Sequence, residues 1–200
     1  MNDDPAYTVG NARIGDLAAM LELEKTYFAS CWHSEPSGVK KLMEKEPMMF
    51  RVCKTYNEVK GYYWVFPLTY DIWKLVVTGQ MTEAAMVKHI RDFSQPNLYL
   101  YLATVIVDQE DKWRKKFTKA LVYDFGRNFV LGRNRKADVK GVGAFTISEG
   151  GRSLMERSNF TYKGSFKADG KLARSYIASH QNLLDQAHLI QKKDQVKNIA

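Results

Sequence analysis

Cysteine and histidine are scarce in this chain, and the scarcity excludes chemistry. The two cysteines, Cys31 and Cys53, do not stand at metal-ligand spacing. Two thiols in a chain of 200 residues fit a reducing compartment, so the expected location is the cytoplasm. Cys31 lies beside Trp32 and His33, but adjacent side chains rarely face each other, and a catalytic Cys and His are usually distant in sequence; Cys31 reads as structural. His33, His89, His180 and His188 form no metal pattern, because even the last two lie about two helical turns apart, too far to share a zinc ion. No metal site is expected. No apolar run approaches the ~20 residues of a membrane helix. The opening MNDDPAYTVG lacks the basic and apolar regions of a signal peptide. There is no internal repeat and no low-complexity tract.

What is present is an ordinary globular composition, 45% hydrophobic and 26% charged, in a chain long enough to bury a core. The net charge is +8 and the pI about 9.3, which favours anionic ligands and polyanions. The excess is spread over Lys40–Lys45, Lys112–Lys119, Arg127–Lys140 and Lys192–Lys197. For any single lysine a solvated surface is the default. The second group differs, because it stands at an expected helix start, where side-chain charge and helix dipole add.

That helix belongs to the stretch around which the chain is organised, Asn97 to Leu131. NLYLYLATVIV is a short, continuous, Val/Ile/Tyr-rich run and reads as a buried strand. DQEDKWRKK interrupts it. FTKALVYDFGRNFVL then reads as a helix, with Trp113, Phe117, Leu121 and Phe125 on one face. A strand running into a helix start is a common place to hold a phosphate.

The rest of the chain follows in order. Tyr7-Thr8-Val9 reads as a first strand, and Asp16 as the N-cap of a helix reaching about Ala29. Ser37 caps a short second helix that Pro47 closes. Met48 to Leu68 reads as a β-hairpin turning near Asn57-Glu58, with Pro67 at the edge or end of its second strand. Thr69 to Phe93 is helical or irregular, split at Gly79, with Met86, Ile90 and Phe93 at helical spacing. Aromatic residues Tyr70 and Trp73 in this segment are candidates to line a substrate cleft. GRNRKADVKG is a basic loop. Val139 to Ile147 is a strand weakened by two glycines. Ser148 to Arg157 is a helix, FTYKGSF and ARSYIAS are strands about the turn KADGK, Gln181 to Ile190 is helical, and QKKDQVKNIA is a frayed tail. The order is β-α-α-β-β-(α)-β-α-β-α-β-β, which calls for an α/β (α+β) mixed sheet, antiparallel at one end and parallel near the central helix.

This order resembles the GNAT superfamily, the Gcn5-related N-acetyltransferases. The likeness covers most of residues 7–178: the helix starting at Asp16, the hairpin ending GYYWVFPL, the strand LYLATVIV with its following helix, and GGRSLMERSNFTYKG, where Asn159-Phe160 stands for the family's Gly-Phe pair. It implies a GNAT-like fold with a central six- or seven-stranded mixed sheet flanked by helices. It implies a single GNAT-like acyltransferase domain over residues 1–178, with 179–200 as a helical extension or tail. It also implies acetyl-CoA or another acyl-CoA as cosubstrate. In the family a splayed fourth strand bonds the pantetheine arm, which assigns Val105, Ile106 and Val107 here. The loop after it, Q/R-x-x-G-x-G/A, cradles the pyrophosphate with its N–H groups. That loop maps onto Lys112 to Phe117 or, two residues on, onto Arg114 to Lys119. The implied cofactor-binding residues are therefore Lys112, Arg114, Lys115, Lys116, Phe117 and Thr118, and neither register contains a glycine. The family's tyrosine acid falls on Met155, which transfers no proton. The strand glutamate that serves some members as base falls on Tyr101, the catalytic candidate, whose ordinary pKa of about 10 makes it a weak base at neutral pH.

Three functions follow. The first is an acyl-CoA-dependent acyltransferase, most simply an N-acetyltransferase acting by direct transfer to an amine. The second is a non-catalytic GNAT-like module that has lost its cofactor site, motivated by the missing glycines and Met155. The third and least favoured is a nucleic-acid-binding protein, because Lys112-Trp113-Arg114 interleaves aromatic and basic residues, although Trp113 fits the helix's buried face better. The sequence assigns neither an acceptor nor an oligomeric state.

Overall fold

The computed structural model describes residues 5–132, 137–185 and 187–188. The strands are β1 (Thr8–Asn11), β2 (Phe50–Thr55), β3 (Glu58–Leu68), β4 (Leu98–Val107), β5 (Val139–Thr146), β6 (Thr161–Ala168) and β7 (Lys171–Ser179). The helices are α1 (Leu17–Tyr27), α2 (Pro36–Lys45), α3 (Tyr70–Val77), α4 (Glu83–Met86), α5 (Arg114–Phe125) and α6 (Glu149–Arg157). The strands form a seven-stranded sheet in the order β1-β2-β3-β4-β5-β7-β6. β4 and β5 run parallel, from Leu98 opposite Val139 to Tyr101 opposite Gly143. The pairs β1/β2, β2/β3, β5/β7 and β6/β7 are antiparallel. The mixed sheet expected from the element order is therefore present.

The chain divides into two compact units. The first contains the described part of residues 1–65 together with 103–124. Here β2 and β3 form a hairpin whose turn residues, Tyr56 and Asn57, both have positive φ, 49° and 69°. Two-residue hairpin loops demand this conformation, because only then does the turn's twist match that of the strands. Asn tolerates it and a bulky aromatic does not. Tyr56 is also 88% exposed, so its side chain contributes little in return. Replacing Tyr56 with Asn is expected to stabilise the protein by about 0.5–1 kcal/mol, measured by denaturant unfolding.

Two N-termini differ from expectation. α2 is capped by Glu35, whose carboxylate accepts from the N–H groups of Ser37 and Gly38 at 3.0 and 2.6 Å. Ser37 lies inside the helix, because Pro36 already fixes the first helical φ and needs no N–H partner. Asp16 immediately precedes α1, but its carboxylate turns back to the Arg13 N–H at 2.8 Å and to Lys54 Nζ on β2 at 2.8 Å. It fastens the helix entry to the sheet rather than capping the helix.

The second unit contains 66–102 and the described part of 125–200. Pro67 stands at the end of β3, one residue before its last, Leu68, and the Pro67 carbonyl accepts from the Arg91 N–H at 2.8 Å. The helical spacing of Met86, Ile90 and Phe93 is realised only at Met86. α4 stops there, a 3-10 turn spans Val87–His89, and Phe93 is buried beyond it. The glycines of β5 have a packing reason. A Cβ on Gly143 would lie 2.6 Å from Val77 and 2.8 Å from the Trp73 ring, so α3 can rest on β5 only where the side chain is missing. α6 is capped by Ser148, which accepts from the Gly151 N–H at 3.1 Å. Asn159 holds φ 63° after it, a left-handed conformation that Asn tolerates. The helix opening at Arg114 passes into a π-turn, Gly126–Val130. Residues 180–185 are helical. The tail QKKDQVKNIA, with Lys192–Lys197, and the Arg133–Lys136 portion of the basic loop lie outside the described residues.

Candidate functional site

The β4–α5 junction begins on a strand that is central in the sheet order. Its residues Leu102, Ala103, Thr104 and Val105 are half-buried at four consecutive positions, while Ile106 and Val107 are buried. Successive side chains on a strand point to opposite faces. Both faces of β4 are therefore partly open along this run, which is unusual for an interior strand.

The six residues that follow, Asp108 to Trp113, are held by their own chain. The Asp108 N–H donates to the Lys60 carbonyl at 2.9 Å. The Gln109 N–H donates to the Tyr27 hydroxyl at 2.8 Å, and that hydroxyl donates in turn to Asp108 Oδ1 at 2.8 Å. Burial first, and then the hydrogen bond to Asp108, raise the Tyr27 pKa above its ordinary value, so the hydroxyl stays a donor. The same Asp108 oxygen accepts from the Glu110 N–H at 3.1 Å. Asp111 Oδ1 accepts from the Trp113 N–H at 2.8 Å, and the Asp111 carbonyl from the Arg114 N–H at 3.0 Å. On the acceptor side, Val107 O receives Gln109 Nε2 at 2.7 Å. Asp111 thus holds the turn that leads into α5. Its second oxygen lies 3.2 Å from Lys60 Nζ.

The sequence-derived cofactor residues divide accordingly. Lys112, Arg114 and Lys115 are exposed. Lys116 turns to the N-terminal segment, with Nζ 3.4 Å from the Pro5 carbonyl and 4.9 Å from the Tyr7 ring centre. Phe117 is fully buried and meets Tyr7 edge-on. Thr118 returns its hydroxyl to the Arg114 carbonyl at 2.9 Å. Trp113 is half-buried just ahead of α5.

Elsewhere in this unit a second carboxylate is buried. Glu24 on α1 is 2% exposed and accepts from the Ser34 N–H and hydroxyl, each at 2.9 Å. Burial raises its pKa, and the Ser34 bonds and the charge of His33 offset this only in part. A folded pKa above the unfolded one means that the stability it contributes is complete below about pH 4.3 and is lost as pH rises through the folded value. Glu24→Gln keeps an oxygen for Ser34 and removes the titration. The stability of Glu24→Gln relative to the parent is therefore expected to increase as pH rises from about 4 to 7, read from denaturant midpoints. An open hollow of about 670 Å³ lies along α1, lined by Ile14, Leu17, Ala18, Leu21 and Pro36 among others. Its charged residues, Glu22 and Lys25, pair with each other at 3.1 Å, and it offers no chemistry.

In the second unit Tyr101 is fully buried, and its hydroxyl donates to Glu83 Oε1 on α4. Burial first, and the Glu83 charge second, push its pKa well above 10. The Trp73 Nε1–H donates to the Leu100 carbonyl at 3.0 Å, so Trp73 is a packing residue of the strand. Tyr70 is exposed and forms a ring cluster with Trp73 and Tyr99. Met155 is buried. Sequence reasoning missed Glu83, because nothing local ties it to a tyrosine eighteen positions on. Among the described residues no group of three His, Cys, Asp or Glu could hold a metal ion. Among them, too, no helix is long and apolar enough to cross a membrane.

No protein-family profile and no curated protein sequence matches the chain. Solved structures do. Ard1 from Thermoplasma volcanium aligns over 87% of this chain and 97% of its own, with TM-score 0.59 and 13% identity. The loading GNATL domain of CurA from Lyngbya majuscula aligns over 88% and 98%, with TM-score 0.62 and 9% identity. Arabidopsis thaliana NAA60, solved in complex with acetyl-CoA, aligns over 87% and 98%, with TM-score 0.59 and 13% identity. The chain has the GNAT fold, as its element order implied.

Proposed function

We propose that this chain is an acyltransferase that takes its acyl group from an acyl-CoA, most simply acetyl-CoA, and passes it to an amine by direct transfer. The observation that carries the reading is a GNAT fold whose fourth strand is open along Leu102–Val105. Backbone groups beside that run, with Val105, Ile106 and Val107, would hold the pantetheine arm. NAA60 has this fold and was solved with acetyl-CoA. In the reaction the amine nitrogen attacks the thioester carbonyl, the C–N bond forms, the C–S bond breaks, and the amine's proton leaves as the thiolate takes one up. Proximity supplies most of the acceleration. Glu83 is the base in this reading. Tyr101, at the position of the family's strand glutamate, is the group that positions it. Lys112, Arg114 and Lys115 would lie at the outer end of the donor. Lys116, Phe117 and Thr118 would support the helix that carries them.

Calorimetry with acetyl-CoA tests the proposal, followed by transfer assays on a panel of primary amines. Binding with transfer to at least one amine is the expected result. No binding at millimolar acetyl-CoA would sink the reading. One observation favours a second function, a GNAT-like module without catalysis: at the β4–α5 junction the N–H groups of Gln109, Glu110 and Trp113 are occupied by Tyr27, Asp108 and Asp111. Absence of donor binding would be its signature.

A further inference from the structure

The occupied junction carries a more specific consequence, which rests on the acyl-transfer reading. We propose that the donor is recognised through its acyl thioester and pantetheine arm alone, so that a thioester lacking the adenosine and the diphosphate is bound as well as the acyl-CoA itself.

A diphosphate held by a loop needs backbone N–H groups without partners and room for the backbone to approach. Seven of the ten N–H groups from Asp108 to Phe117, those of Asp108, Gln109, Glu110, Trp113, Arg114, Lys116 and Phe117, have partners within the chain. Two of those partners are carboxylate oxygens. Asp111 stands where the α5 dipole would draw an anion, and a bound phosphate would have to displace it or lie beside it. Displacement is opposed from the other side, because the same carboxylate is 3.2 Å from Lys60 Nζ. That ammonium is only 12% exposed and also pairs with Glu58 at 3.0 Å. Removing Asp111 from this arrangement would strip a mostly buried cation of one of its two partners. The residues from Lys112 to Lys119 include no glycine, so side chains stand at every position where backbone approach is needed.

Exposed cations do not replace what the backbone withholds. Lys112, Arg114 and Lys115 are solvent-exposed, and contacts of such groups with a phosphate are weak and screened by salt. Asp108, Glu110 and Asp111 precede them within the same few residues and oppose their field. The open run of β4 is unaffected by any of this, because Leu102–Val105 lies ahead of the capped loop. What remains to read a donor is a strand that can bond the amides of the pantetheine arm and the thioester at its end. The chemical class of the substrate is thus an acyl thioester of pantetheine, whatever is attached to the distal hydroxyl of that arm.

The test compares two ligands on the unmodified protein by calorimetry, S-acetyl-pantetheine and acetyl-CoA, at low and physiological salt. The expected result is dissociation constants within about tenfold of each other, with adenosine 3′,5′-diphosphate failing to compete. Acetyl-CoA binding more than about tenfold tighter, or displacement by adenosine 3′,5′-diphosphate, would overturn the inference and leave the acyltransferase reading standing. Failure of both thioesters to bind at millimolar concentration would instead remove that reading, and this inference with it.

Discussion

Replacing Asp124 with alanine is expected to destabilise the protein by about 3–5 kcal/mol. Asp124 lies on α5, and its carboxylate receives Arg51 Nε at 2.8 Å and Nη2 at 2.7 Å, a fork that fixes the helix against β2. The Tyr63 hydroxyl on β3 donates to the same carboxylate at 2.8 Å, and Arg51 also donates to Asn11 Oδ1 on β1. One side chain thus joins the helix to β2 and β3 and, through Arg51, to β1. The Arg51 and Asp124 side chains are 11% and 12% exposed, so solvent cannot take over when one partner goes. Burial disfavours the Arg51 charge, and Asp124 more than offsets it, leaving the guanidinium pKa above its ordinary value. Without the carboxylate that offset is gone and the buried cation is uncompensated. Tyr63, held well above pKa 10 by burial first and the Asp124 charge second, keeps its proton throughout. For a chain of this size the melting temperature should fall by roughly 10 °C. The double variant Arg51→Met/Asp124→Leu should recover much of the loss, because a buried ion pair is worth little more than well-packed apolar groups in its place. If Asp124→Ala melts within about 2 °C of the parent, the network is not what holds α5 to the strands.

Little of that network was legible in the sequence. Arg51 and Tyr63 lie on alternating strand positions, and Asp124 falls in the helix between apolar residues, but their meeting depends on the pairing of Arg51 opposite Tyr63 and on where α5 crosses. Local signals were more reliable. Element order, the hairpin, β5 and the helix from Ser148 follow from period and punctuation, and the resemblance to the GNAT superfamily rests on their order. Where a sequence signal misled, a neighbouring residue of another type had taken the task. Glu35 with Pro36 caps α2 in place of Ser37, because a carboxylate two residues earlier reaches the N–H groups of Ser37 and Gly38 and starts the helix ahead of Ser37. The Met86, Ile90 and Phe93 spacing suggested a long helix, yet the turn after Met86 tightens and Phe93 is buried from irregular backbone. The capped loop shows the same contrast between local and distant information. The Asp111 carboxylate closes the turn locally onto the Trp113 N–H, whereas the Tyr27 hydroxyl completing the loop comes from 82 positions away and leaves no local trace.

Glu83→Gln carries the largest expected effect on activity. The resemblance puts Tyr101 at the strand position where some family members carry a glutamate, and a tyrosine pushed well above pKa 10 retains its proton and cannot accept one from an ammonium at neutral pH. What it can do is donate, and its hydroxyl does so to Glu83 Oε1. The two residues together restore a carboxylate at the end of the tyrosine side chain, displaced from the strand by one ring and one hydrogen bond. On an amine found by the transfer panel, Glu83→Gln is expected to lower kcat/KM by about 10²–10⁴-fold, the usual loss on removing a general base, with acetyl-CoA binding unchanged. The amide oxygen still accepts from Tyr101, so the melting temperature should hold. Tyr101→Phe removes only the positioning bond and should lower kcat by about 10–10²-fold with donor binding again unchanged. A purely structural role for Tyr101 would instead lower stability and leave kcat of the folded fraction intact. Should Glu83→Gln transfer acetyl groups at the parental rate, the base lies elsewhere, and the Tyr101–Glu83 bond is a packing device that fastens α4 to β4.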